Sequence, residues 1–214
     1  LQQLKSDIMK MASLTRQALM NAVEALKSRD PAAAKRVIDG DAELDALELE
    51  IDEKCINLIA LHQPMAGDLR FITTGMKLNA ELERIGDLAV DVAQRALDIS
   101  GKPLLKPLVD IPRLAVIAGR MTGEAIEAFI KSDAGLARKV VLSDPEADEI
   151  KRSVEKELIH DYMMKDGSTS DRAVPLLLAT RHLERVCDHA VSMAEDIIYM
   201  VEARVVRHHP EALG

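Results

Sequence analysis

The chain is written twice. LERIGDLAV at residues 82–90 returns as LERVCDHAV at 183–191, with six of nine positions identical. Upstream, VIDGDAELDAL at 37–47 is matched by VVLSDPEADEI at 140–150. Corresponding residues lie 103 apart in the upstream block and 101 apart in the downstream block, so the connection between the blocks is two residues shorter in the second copy. Self-similarity at a fixed period marks a repeated structural unit. Whatever the first half folds into, the second half must fold into as well.

That unit reads as three helices. In the first copy Leu4, Ile8, Met11, Leu14, Ala18 and Ala22 recur at the spacing of one helix face, to about Lys27. Asp30-Pro31 then opens a short helical turn with proline in the first position. A second stripe, Leu44, Leu47, Ile51, Cys55 and Leu58, stops near Gln63-Pro64. A third, Leu78, Leu82, Ile85, Ala89 and Val92, ends near Ser100-Gly101. SGKPLLKPLVD, with its glycine and two prolines, is the linker. The pattern restarts at Pro112, with DGSTSD at 166–171 as the loop before the sixth helix. No alternating run of β-branched residues supports a strand. Tryptophan is absent and only two Phe and two Tyr occur, so the core must be built from Leu, Ile, Val, Ala and ten Met, side chains suited to helix-on-helix packing. The expected architecture is all-α: two tandem three-helix bundles, residues 1–101 and 110–209.

The repeated blocks share one further property. Each places two acids four residues apart: Asp41 with Asp45, Glu83 with Asp87, Asp144 with Asp148, and Glu184 with Asp188. On a helix such a pair shares a face at about 5–6 Å, and like charges there cost a few tenths of a kcal/mol. At about 100° per residue, Glu83 and Asp87 point away from the stripe of Leu82, Ile85, Ala89 and Val92. Asp41, Asp45, Glu48 and Asp52 line a flank roughly 90° from the stripe of their own helix. For any single pair, a solvated helix face is the simpler account. Four pairs at equivalent places in two diverged copies are harder to attribute to solubility. If two helices of one bundle lay these faces side by side, four carboxylates converge at a partly exposed surface and repel unless cations join them. All-oxygen ligation suits Mg²⁺, Mn²⁺, Ca²⁺ or iron, with zinc reachable through carboxylates.

Other chemistries find less support. Di-iron bundles use inward-facing Glu and Glu-x-x-His; here the spacing and the direction both differ. There is no GxxxxGK[ST] phosphate loop, and no Ser-His-Asp or Cys-His set with a helpful context. Cys55 falls on a core stripe and Cys187 stands where the first copy has Gly86, so neither reads as a nucleophile. His189 has no counterpart in the first copy, where Leu88 stands, and reads as a packing or surface residue before a ligand; His182 reads as structural and His208 and His209 as tail. Arg84 and Arg185 are assigned no ligand role, a salt bridge to Glu81 being the alternative for the first. The net charge of −8, with 28 basic residues dispersed among 36 acids, argues against nucleic-acid binding. No apolar run reaches the roughly 20 residues of a membrane span, and no secretory signal pattern is visible. With two distant cysteines and no disulfide framework, a reducing cytoplasm is the simplest setting.

The duplicated LER-x-x-D-x-A core, each copy paired with an upstream [ED]xxxD, resembles the PhoU family of phosphate-signalling regulators over nearly the whole chain. The resemblance implies a cytoplasmic, all-helical, commonly dimeric protein that is not an enzyme. It implies surface metal clusters, of iron, zinc, manganese or magnesium, held by Asp41, Asp45, Glu83 and Asp87 in one half and by Asp144, Asp148, Glu184 and Asp188 in the other. It also implies negative regulation, with two partners: the ATPase subunit of the phosphate ABC transporter and a membrane sensor histidine kinase. A carboxylate-bridged metalloenzyme and a helical scaffold recruited to another transporter are the alternatives. One departure stands out: Glu48 in the first copy is matched by Lys151 in the second, so the two clusters are expected to differ.

Overall fold

Asp30 and Asp133 show how the repeat is converted into geometry. Each follows a residue in the left-handed conformation, Arg29 or Ser132, that closes the preceding helix. Each then caps the next helix with its side chain. Asp30 accepts from the backbone N–H groups of Ala32 and Ala33, and Asp133 from that of Leu136. These caps satisfy amide groups that have no partner inside the helix.

The computed structural model describes residues 1–206. Six long helices carry the fold: α1 (Gln2–Ser28), α2 (Pro31–His62), α3 (Ala66–Ile99), α4 (Asp110–Lys131), α5 (Ala134–Glu157) and α6 (Ser170–Glu202). No strand occurs among the described residues. The short turn expected at Asp30-Pro31 is continuous with α2, and Gly40 does not interrupt it. α5 runs on into a π-helical segment, Leu158–Met163, and the DGSTSD loop is shorter than expected because Gly167–Thr169 form a 3-10 turn that leads directly into α6. The sequence end with His208 and His209 lies outside the described residues.

Each half is an up-down-up bundle. In the first, α2 and α3 run antiparallel, and in the second α5 and α6 do the same. The halves meet through equivalent helices. α1 lies against α4, with Lys5 Nζ donating to the Ile130 carbonyl at 2.7 Å and Gly119 facing Arg16. α3 lies against α6, where Arg70 bonds the Met200 carbonyl at 3.0 Å, Lys77 pairs with Asp196 at 2.8 Å, and His189 Nδ1 sits 2.5 Å from Glu81. In both seams one residue number rises as the other falls, so both are antiparallel. A single apolar core runs through the two bundles. The chain's two phenylalanines, Phe71 on α3 and Phe129 on α4, stack across the boundary at 4.5 Å. Gly75 leaves the space they need, since a Cβ there would come within 3.3 Å of Leu4 and 3.5 Å of Phe129. The outer helices α2 and α5 each cover their own half and carry the acid pairs toward α3 and α6.

Candidate functional site

The first acidic face is built where α2 packs against α3 at Gly86. A Cβ on Gly86 would stand 2.9 Å from Leu44 Cδ1 and 3.6 Å from Asp41 Oδ1. Glycine is therefore what lets the helices touch at this level, and Glu83 and Asp87 flank it in sequence. One helical turn or two further along, fully buried Asn79 fixes the register. Its Nδ2 donates to the Glu48 carbonyl at 2.8 Å and to Asp52 Oδ1 at 3.1 Å. The apolar side of the seam is Leu44, Leu47 and Ile51 against Leu82 and Ile85, all buried. The acids are left at the rim, Asp41, Glu48 and Glu83 half-buried and Asp45 and Asp87 exposed.

These acids feel one another. Partial burial raises the carboxyl of Asp41, and the charges of Asp45 and Asp87 raise it further. Burial likewise raises Glu83, followed by the charges of Asp87, Glu48 and Asp45 and a hydrogen bond shared with Asp87. Glu48 is raised by burial, then by Asp52 and Asp45. Every charged neighbour acting on these three groups is another acid, which disfavours their ionised forms.

The second face has the same layout with different electrostatics. Asp144 is raised by burial and by Asp148 and Glu184, with Lys151 opposing. Asp188 is pushed up to about 6 by burial, Glu184 and Asp144, against His189 and Lys151. Lys151 lies in the cluster itself, its Nζ 2.7 Å from Glu184 Oε1, with both side chains largely shielded. Where the first half has Gly86, the second has buried Cys187, whose Sγ lies 3.6 Å from the Leu183 carbonyl. Burial raises that thiol well above its ordinary value, and that of Cys55 to about 11, so both stay protonated and neither acts as a nucleophile.

The structure thus gathers each set of four sequence-predicted acids into one electrostatic neighbourhood. It does not draw them into a closed shell: among the described residues no three His, Cys, Asp or Glu side chains converge in ligating geometry. The first set suits a hard cation by its chemistry, being all oxygen, partly exposed and without a positive side chain acting on Asp41, Glu48 or Glu83. The remaining candidates have other partners. Arg84 bonds Glu81 at 2.9 Å. His189 faces that same Glu81 across the α3–α6 seam, and His182 Nδ1 lies 3.5 Å from Asp91, its ring held below its usual pKa by burial. Sequence reasoning missed Asn79 and the role of Gly86. The second had a signal, because a glycine inside a strong helical pattern marks a close backbone approach.

Comparison with known proteins extends over the whole of this arrangement. The family model described as PhoU domain matches twice, at residues 8–96 and 111–197. A phosphate-specific transport system accessory protein PhoU homolog from Aquifex aeolicus is 40% identical over 208 residues, covering 97% of this chain and 94% of that protein. The crystal structure of PhoU from Pseudomonas aeruginosa superposes with a TM-score of 0.89 at 34% identity, covering 95% and 97% of the two chains. That of the phosphate transport system regulatory protein PhoU from Streptococcus pneumoniae gives 0.88 at 25% identity, covering 96% of each. Among the described residues no helix is long and apolar enough to cross a membrane.

Proposed function

The chain belongs to the PhoU family, matched over both halves, and from that premise we propose that it is an accessory protein of phosphate-specific transport that acts as a metal-binding adaptor and negative regulator. It works in the cytoplasm, as a homodimer, by binding rather than by turnover. In this reading the protein joins the ATPase subunit of the phosphate ABC transporter to a sensor histidine kinase, and it restrains uptake and signalling when phosphate is plentiful. The transport role is supported by the designations of its relatives as accessory and regulatory proteins. The kinase partner and the direction of regulation rest on the family resemblance.

The observation that carries the metal part is the meeting of acid pairs from two helices at the rim of each bundle, where burial first and then the neighbouring acids raise the carboxyls. Asp41, Asp45, Glu83 and Asp87 hold the ions in the first half, and Asp144, Asp148, Glu184 and Asp188 form the corresponding set in the second. A bound divalent cation supplies positive charge that lets these carboxylates ionise together and presents a fixed face to a partner helix. The chain's own residues set where that face lies: Gly86 brings α2 against α3, and Asn79 holds the register.

Retention assays test the reading. Immobilised protein charged with Mn²⁺ is expected to retain the transporter ATPase and the sensor kinase from solubilised membranes at high phosphate, and Glu83→Gln/Asp87→Asn to lose both. Failure of the charged wild type to retain either partner would overturn the adaptor role.

A further inference from the structure

We propose that Lys151 is a built-in counter-cation of the second acidic face, so that the chain loads metal tightly through its first half alone. This deepens the metal reading given above and rests on it. The two faces are superposable in sequence and in helix order, which makes their differences informative. At one place the first half carries Glu48 and the second carries Lys151. The lysine does not point into solvent: its Nζ donates to Glu184 Oε1 at 2.7 Å, with 24% and 14% of the two side chains exposed. Glu184 is one of the four acids of its set, so one ligand is already bound to an ammonium group.

Three further details support this. The backbone carbonyl of Glu48 is held across the seam by Asn79, whereas Thr180, the counterpart of Asn79, bonds within its own helix to the Leu176 carbonyl. The Oδ1 of Asn79, buried at the first seam, has no hydrogen-bond partner and is a neutral oxygen donor with capacity to spare. Beyond Lys151, the second face is also bordered by cations: Arg152 Nη2 lies 3.9 Å from Asp148, and Arg120 pairs with Glu146 at 2.9 Å.

Exchanging Glu for Lys changes the local charge by two, and at partly buried separations each unit charge is worth more than a factor of ten in divalent affinity. The second face is therefore expected to bind a divalent ion at least about a hundredfold more weakly than the first.

Equilibrium dialysis against Mn²⁺, followed by elemental analysis, tests the proposal. Glu83→Gln/Asp87→Asn should remove the tightly held ions, whereas Glu184→Gln/Asp188→Asn should leave them. Lys151→Glu, and more mildly Lys151→Gln, should add a second tight set, and Glu48→Lys should weaken the first. Equal loss of tight metal from the two paired variants, or no gain in either Lys151 variant, overturns the asymmetry. If neither the wild type nor Lys151→Glu takes up Mn²⁺, the metal reading itself has failed, and the counter-cation role is then judged without metal. In chelator, Lys151→Gln should lower the melting temperature and Glu48→Gln raise it. Shifts of the same sign, or none, overturn the role of Lys151.

Discussion

Asp188 shows what a single residue in such a cluster does to stability. Its carboxyl titrates near 6 in the folded chain against 3.8 ordinarily, because it is shielded and lies beside Glu184 and Asp144. The native state thus takes up a proton before the unfolded state does. The stability tied to this group is complete below the unfolded value and is lost as pH rises through the folded one. In chelating buffer, Asp188→Asn should therefore gain on the wild type as pH is raised from about 4 to about 7, read as a widening difference in melting temperature. A difference that stays flat would mean that the cluster does not strain this group. Gly86 makes a second test at the same scale. A methyl group there would meet the terminal Cδ1 of Leu44 at 2.9 Å; that methyl must turn aside, while alanine gains roughly 0.5–1 kcal/mol of helix propensity over glycine, so Gly86→Ala should change stability in denaturant unfolding by no more than about 1 kcal/mol.

Among the elements, the twin caps offer the cleanest comparison. Asp30→Ala and Asp133→Ala each remove the side chain that receives the first amide groups of α2 or α5. Each is expected to cost about 1 kcal/mol of stability, measured by chemical denaturation. Much of this level was legible before any coordinates. Apolar residues at helical spacing located the first three helices, since each hides one stripe and the stripe is written in the sequence, and the repeat carried them over to the other three. The acid pairs were legible for a related reason: the repeat singles out positions whose direction is away from that stripe. Three things were not. The continuity of α2 from Pro31 through Gly40 was hidden by a glycine of the kind that punctuates most helices. The π segment at Leu158–Met163 has no composition of its own. Most important for the site, the reach of Lys151 to Glu184 depends on how far α5 stands from α6, and the spacing between helices is a property of packing.

For the molecule as a whole, the decisive feature is the shared interior. Phe71 and Phe129 stack from opposite halves, and Phe129 is fully buried. Phe129→Ala should cost about 3–5 kcal/mol and lower both halves together in one thermal transition. Two separate transitions would mean that the bundles fold independently. The antiparallel seams carry a further consequence. α1 meets its own counterpart α4, and α3 meets α6, each with descending against ascending numbers. That is the contact pattern of an isologous dimer, in which one patch serves both partners. A chain of half this length would present those same two helices bare, as a patch that a second copy could cover. The linker from Gly101 to Val109 makes the same association intramolecular, so it does not depend on concentration. Because the two halves are one chain and not two copies of one sequence, equivalent positions can differ, glutamate at 48 and lysine at 151.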